Sequence, residues 1–239
     1  MDLGYGQHYR ELYEKHWWWR ARERLILSTL EQLRPDGNWG AILDVGCGDG
    51  LFFDRLSKFG DVEGIENNLE FVSTNNRWKN RIHICSLETF QPVKRYSLIL
   101  LLDVLEHFSD PLPCLRRVLD LLDSKGVLVL TVPAFRCLWT AHDDLNHHFA
   151  RYTKSSLTQL ATSAGIQIHR SQYFFHWTFP VKFILHLKER LIHTSPRVPK
   201  VPSPWLNETV YRFSLLEQKI FGVLPLPFGS SLMVVGGRD

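Results

Sequence analysis

The sequence predicts an α/β fold, a parallel sheet covered by helices on both faces. Three observations carry this expectation. Strand-like apolar runs alternate with helical stretches at the spacing of crossover units. The first such run passes directly into a glycine-rich turn. The chain has 239 residues, 44% hydrophobic and 22% charged, enough to bury one large core. A net charge of only +3 argues against a nucleic-acid partner. Cys47, Cys85, Cys114 and Cys137 are far apart with no C-x-x-C pair, which fits a reducing compartment without a disulfide framework. The N-terminus is polar and charged, unlike a secretory signal. No apolar run reaches the roughly 18 residues of a spanning helix, so the expected location is the cytoplasm.

Taken in order, residues 7–34 are rich in Arg, Glu and Leu and end at Pro35-Asp36-Gly37, a helix followed by its stop. Strands are predicted at 41–45, 61–65, 81–85, 96–102 and 126–132, with helices near 50–58, 68–77 and 110–122 between them. Asp110-Pro111 supplies a cap and a first-turn proline. Residues 134–152 form a loop rich in histidine and aromatics. Thr153 is placed to cap a helix that runs to about 164 and closes at Gly165. Residues 166–173 alternate as a sixth strand, 174–193 form an apolar-to-basic helix, and 194–205 are a proline-rich connector. A helix near 206–221 and a strand at Leu232-Met233-Val234-Val235 complete the chain.

The chemistry begins at Ile42-Leu43-Asp44-Val45-Gly46-Cys47-Gly48-Asp49-Gly50. An apolar strand ends in an acid, and glycines follow at every second position. Bare backbone there seats a nucleoside cofactor. A dinucleotide fingerprint would need glycine at position 51, which is Leu51, so the spacing points away from NAD and toward S-adenosylmethionine (SAM). Asp44 is placed to organise the turn and reach the cofactor's amino group. Glu66 ends the second strand, where an acid accepts hydrogen bonds from ribose hydroxyls.

On these residues the chain resembles the class I SAM-dependent methyltransferases, over most of its length. Leu43–Gly50 matches the family's first motif and Glu66 its ribose acid. Tyr96–Phe108 is similar to the fourth-strand motif, with Asp103 and Glu106-His107. His16-Trp17-Trp18-Trp19-Arg20, Leu138-Trp139 and His148-Phe149-Ala150-Arg151-Tyr152 resemble a bacterial small-molecule subgroup of the type 11/12-like methyltransferases. Three positions depart from the pattern. Cys85-Ser86-Leu87-Glu88 replaces the usual acid near adenine, Tyr96-Ser97 replaces Phe-Asp, and Ala150-Arg151 replaces paired arginines.

The resemblance implies a Rossmann-like, seven-stranded, mostly parallel sheet with one antiparallel strand near the C-terminus. It implies one methyltransferase domain, divided into an N-terminal helical cap (1–36), a core (37–173), a helical insertion (174–228) and a last strand (229–239). SAM is the expected cofactor and S-adenosylhomocysteine its product. Asp44, Gly46, Cys47, Gly48, Gly50, Glu66, Asn67, Ser86, Leu87, Leu102, Asp103 and His107 are the expected cofactor contacts.

Methyl transfer relies largely on orientation, and a hydroxyl acceptor adds the need for a general base. His107, His142 and His148 are the catalytic candidates, although packing beside the cofactor is the favoured reading of His107. The loop His142–His148 reads as an acceptor contact rather than a solvated loop, and no metal site is expected because neither Cys nor an H-x-x-x-H helix supports one. Trp18, Trp139, His142, Arg151 and Tyr152 are candidate acceptor contacts; an ion pair at a helix start is the other reading of Arg151. Trp17–Trp19 cannot all point one way on a helix, which suggests a flap over the cleft, beside Tyr9, Tyr13 and Arg20.

In 174–193, Lys182, His186, Glu189 and His193 share one narrow face, Val181, Ile184, Leu185, Leu187, Leu191 and Ile192 occupy the others, and Lys188 lies on the apolar side, where it would have to snorkel. Burial is the default placement for such a helix. The other placement is interfacial, touching the inner face of the membrane or admitting a lipid-like acceptor. The expected activity is methyl transfer from SAM to a small-molecule or lipid-like acceptor, at oxygen, by a monomer or homodimer. The alternatives are a non-catalytic SAM-binding partner module and an enzyme acting on a macromolecule.

Overall fold

Buried apolar residues dominate β1 (Ala41–Val45) and β4 (Tyr96–Leu102) at the centre of the sheet. Ile42, Leu43 and Leu98 to Leu101 are all fully buried, as expected of strands covered on both faces. The computed structural model describes residues 3–192, 198–222 and 226–238. Its sheet has seven strands in the order β3-β2-β1-β4-β5-β7-β6 and is mixed, mostly parallel. The strands are β1, β2 (Asp61–Glu66), β3 (Ile82–Ile84), β4, β5 (Leu122–Pro133), β6 (Gln167–Phe174) and β7 (Ser231–Gly237). β1 pairs in parallel with β2 and β4, β2 with β3, and β4 with β5. β7 runs against its neighbours: Ala134 N donates to Ser230 O, while Gly237 approaches Gly126. The expected antiparallel strand near the C-terminus is therefore β7.

The helices are α1 (Leu3–Lys15), α2 (Trp17–Gln32), α3 (Phe53–Leu56), α4 (Leu112–Leu121), α5 (Ala141–Leu145), α6 (Lys154–Ser163), α7 (Thr178–Leu191) and α8 (Pro204–Phe221). Several differ from expectation. The lead-in at 7–34 is two helices, because His16 adopts an extended backbone and its Nδ1 accepts from Trp18 N at 3.1 Å, capping α2. The helix expected at 68–77 is absent apart from a single 3-10 turn at Leu69–Phe71. Its polar side chains compete with helical bonding: Asn68 Oδ1 accepts from Glu70 N, and the Asp49 carboxylate takes Ser73 N (2.9 Å) and Asn76 Nδ2 (2.7 Å). The loop at 134–152 contains α5. Thr153 caps α6 as expected, accepting from Ser156 N at 3.1 Å.

The chain divides into two compact units. One is Arg34–Val132, Tyr152–Ser171 and Met233–Asp239; the other is Met1–Leu33, Pro133–Arg151 and Gln172–Leu232. The first holds most of the sheet. The second is helical and takes in 133–151, which the sequence reading places in the core. Within it Trp17 packs on Phe175 (5.7 Å) and Trp177 (5.3 Å), and Trp18 on Trp19 (5.0 Å) and Phe175 (5.7 Å). Trp19 is buried and the other two are half-buried, so an aromatic cluster accommodates all three.

α7 overturns the default of burial. Its polar stripe faces inward: His186 Nδ1 meets Trp139 O at 2.5 Å, and Glu189 Oε2 accepts from Ala141 N at 2.8 Å. Its apolar arc is exposed, Ile184 by 64%. His193, the fourth member of the expected stripe, lies outside the described residues. α8 has the same polarity. Asn207, Ser214 and Glu217 are buried, and Asn207 bridges Trp17 N (2.8 Å) and Lys15 O (2.7 Å).

Candidate functional site

The order of the sheet puts a switch point between β1 and β4, where the chain has built outward in one direction and returns to build in the other. Ligands bind at the carboxyl edge of such sheets, and there β1, β2 and β4 end in Val45, Glu66 and Leu102. After Val45 the chain turns through three glycines with positive φ: Gly46 (+72°), Gly48 (+53°) and Gly50 (+63°). Gly46 N and Cys47 N both donate to Ile65 O, at 2.8 and 3.1 Å, which ties the turn to β2. A Cβ on Gly46 would sit 2.8 Å from Val104 Cγ2, whereas one on Gly48 would meet nothing within 4 Å. The backbone at Gly48 thus borders open space.

Glu66 holds this turn from below. Its Oε2 accepts from Gly48 N at 2.9 Å and its Oε1 from Asn68 N at 3.0 Å, with the side chain 6% exposed. Each carboxylate oxygen carries a second acceptor site, so these bonds leave capacity for a hydroxyl donor. Asp44 is buried on β1. Burial pushes the Cys47 thiol far up, helped by the Asp44 and Glu66 carboxylates, so it stays protonated and is no nucleophile.

At the end of β4, Asp103 sits at φ +58°, a conformation that marks functional turns when the surroundings enforce it. Thr131 enforces it from β5: its Oγ1 donates to Asp103 Oδ1 (3.0 Å) and its carbonyl accepts from Asp103 N (2.9 Å). His107 follows in a short 3-10 turn, half-buried. Asn67 is exposed beside Glu66, Ser86 is half-buried with its Oγ 3.2 Å from Thr89 Oγ1, and Leu87 is buried. All twelve expected cofactor residues therefore fall in the sheet unit. Thr131 escaped the sequence reading, since it belongs to no motif and reaches Asp103 only across the β4–β5 pairing; Val104 lies within the fourth-strand motif, but its approach to Gly46 is a tertiary contact.

In the helical unit a different centre appears. Asp143 is fully buried. Its Oδ1 accepts from His148 Nδ1 and Arg151 Nε, and its Oδ2 from Arg151 NH2 and Thr140 N, each at 2.9 Å. Arg151 also donates from NH1 to Ala134 O at 3.0 Å. These bonds favour the ion-pair reading of Arg151 over the acceptor contact. Tyr152 points its hydroxyl at Leu105 O (3.4 Å) and is buried, a framing role. Asp143 itself was overlooked, although Thr140-x-x-Asp143 has the spacing of a capping box.

Burial pushes the His142 imidazole down to about 4, with Lys182 adding to the effect, so it is neutral at physiological pH. The Asn146 amide lies 3.2 Å from its Nε2. Trp139 donates from Nε1 to Asp144 Oδ1 at 2.9 Å. Trp18 is taken up by its aromatic neighbours, with the Arg22 guanidinium 5.5 Å from its ring.

A seven-stranded sheet in this order with a glycine turn at its switch point defines the class I SAM-dependent methyltransferase fold. A family model described as a methyltransferase domain matches residues 18–171, well over half of the chain. The chain belongs to this family, the SAM-dependent methyltransferases, with SAM as cofactor. Among curated proteins it is similar to the ubiquinone biosynthesis O-methyltransferase of Rhodopseudomonas palustris strain TIE-1, 28% identical over 116 residues, covering 46% of this chain and 43% of that protein. It is also similar to the protein of that name from Coxiella burnetii strain RSA 493, 26% identical over 148 residues, covering 53% and 63%. The matches thus span less than two thirds of these relatives.

Among solved structures, the complex of the Haloferax volcanii Trm112 methyltransferase activator with a putative methyltransferase aligns at TM-score 0.62 and 13% identity, covering 99% and 95% of the two chains. The plantazolicin methyltransferase BpumL, solved with a desmethylPZN analog and SAH, aligns at 0.62 and 16%, covering 99% and 90%. At these identities the likeness speaks to the fold alone.

The residues present fit the cofactor: the open space at Gly48, the buried Glu66 beneath it and the enforced turn at Asp103 form one edge.

Proposed function

We propose that this protein transfers the methyl group of SAM to the oxygen of a small, lipid-like acceptor. The single observation that carries the cofactor half of this reading is the Gly46–Gly50 turn held by Glu66 at the sheet's switch point. When bound, SAM supplies a methyl already activated by its sulfonium, so the protein's task is orientation. Gly46, Cys47, Gly48 and Gly50 provide the bare backbone. Asp44 and Glu66 take the amino-acid and ribose ends, Asn67, Ser86 and Leu87 flank the adenosine, and Leu102, Asp103 and His107 line the floor.

For the acceptor, the distant likeness to ubiquinone biosynthesis O-methyltransferases supports a hydroxylated, apolar compound. Such an acceptor needs its proton removed. His148 is suited to this, because Nδ1–H donation to the buried Asp143 leaves Nε2 as the accepting nitrogen. His142 and His107 are the other two candidates, and Trp18 and Trp139 offer aromatic contact surface.

Calorimetry of the full chain with SAM and with NAD, followed by labelled-methyl transfer to a long-chain catechol, tests the reading. SAM binding without NAD binding, and label in the ether, are expected. NAD binding in place of SAM would refute the cofactor half. Labelling of an amine analogue but not the catechol would refute the oxygen assignment.

A further inference from the structure

We propose that the outward faces of α7 and α8 form a platform that docks on an anionic lipid bilayer. This goes beyond methyl transfer and does not rest on the acceptor assignment.

The observation is an inverted pair of helices. Of the seventeen large hydrophobic residues that are exposed among the described residues, twelve lie between Val181 and Ile220. Ile184 is 64% exposed, Leu191 85%, Trp205 76% and Phe213 52%. The two helices touch where Trp177, the N-cap of α7, packs on Phe213 of α8 at 5.9 Å. Exposed apolar surface on this scale marks an interaction site in a water-soluble fold.

The polar groups show why the faces point outward. The inner sides of both helices are committed: Glu189 to Ala141 N, Glu217 to His176 Nδ1 (2.8 Å), and Asn207 to Trp17 N and Lys15 O. Turning either helix to bury its apolar side would strand these groups.

The charge identifies the occupant. Lys188, Arg190, Lys200 and Lys219 are exposed among the apolar residues of this stretch. Of the acids on these helices, Glu189 and Glu217 face inward and Glu208 is paired with Arg20 and Arg212. The outward surface is therefore apolar with a basic rim, the pattern of helices that lie in an anionic interface. Trp205 at the start of α8 is the residue type favoured at headgroup depth. No helix among the described residues is long and apolar enough to cross a membrane, so contact would be parallel to the surface. A second copy of the chain is the weaker occupant, because a two-fold pairing would set these basic rims against each other.

The test is co-sedimentation of the full chain with vesicles of phosphatidylcholine, with and without about one third phosphatidylglycerol. The chain should bind the anionic vesicles at least about tenfold more tightly than the neutral ones. Ile184→Glu combined with Leu185→Glu, and separately Phe213→Glu, should weaken that binding about tenfold or more. Their circular dichroism and SAM calorimetry should match the parent, which separates loss of docking from loss of fold or of cofactor binding. Absence of pelleting, equal pelleting of parent and variants, or a solution dimer that the substitutions dissolve would each overturn the proposal.

Discussion

The two units of this chain treat buried polar groups in opposite ways. In the sheet unit Glu66 is buried, yet its bonds run to the backbone of a turn that borders open space. In the helical unit Asp143 is buried deeper, and its bonds to Arg151, His148 and Thr140 bind one side chain and loop to the next. The first arrangement leaves acceptor capacity on the carboxylate, which the proposed ribose contact would use. The second saturates the carboxylate and stabilises a frame. A buried acid is therefore a ligand site or a structural clamp according to what its oxygens already hold, and not according to its burial.

Substitution of the two acids should separate the roles. Asp143→Ala leaves the buried Arg151 guanidinium without its carboxylate, and breaking a buried pair costs about 3–5 kcal/mol. Chemical denaturation should show that loss, while calorimetry well below the midpoint finds SAM affinity within about threefold of the parent. Glu66→Ala should do the reverse. Loss of charge-assisted bonds should weaken SAM binding by about one to two decades, with a smaller loss of stability, about 1–3 kcal/mol, from the two orphaned N–H groups. Unchanged SAM affinity in Glu66→Ala would remove the basis for the ribose assignment.

Within the turn the glycines should rank by their surroundings. Gly46→Ala combines a positive φ with a contact at 2.8 Å to Val104, and should destabilise more than Gly48→Ala, whose cost is the left-handed backbone alone, about 1–2 kcal/mol. SAM calorimetry should nonetheless respond to Gly48→Ala, because its new methyl would occupy the open space.

A further effect concerns pH and belongs to the helical unit. His16 and His142 are both pushed down to about 4 by burial, against about 6.5 in the unfolded chain. Between those values the unfolded chain binds more protons than the folded one, so stability is full above about pH 6.5 and is lost as the pH falls toward 4. Thermal melts across that range should show the decline. His16→Ser, which keeps a cap for α2 without a titrating ring, should flatten part of it.

Much of the sheet unit is readable in the residues themselves. Ile42-Leu43-Asp44-Val45 followed by alternate glycines can be little else than a buried strand entering a bare turn, and Glu66 lies at the spacing at which the next strand ends. These are local relations, governed by backbone freedom and by the period of a strand, and they need no knowledge of distant contacts. The 68–77 segment misled because its periodicity is helical while its Asn side chains, and Asp49 from the turn, take the backbone's bonds.

What the sequence determined alone is the family and the seven-stranded, mostly parallel sheet that its motifs imply. Tertiary structure decided the rest. α7 and α8 have apolar arcs that periodicity alone would bury, and only their polar partners, Ala141, His176, Trp17 and Lys15, turn those arcs outward. Arg151 could have awaited a substrate until Asp143 was found across the loop. The physical reason is common to both cases. Hydrogen bonds made by buried polar groups cost too much to leave unmade, and their partners lie far along the chain or across a fold that no local pattern records.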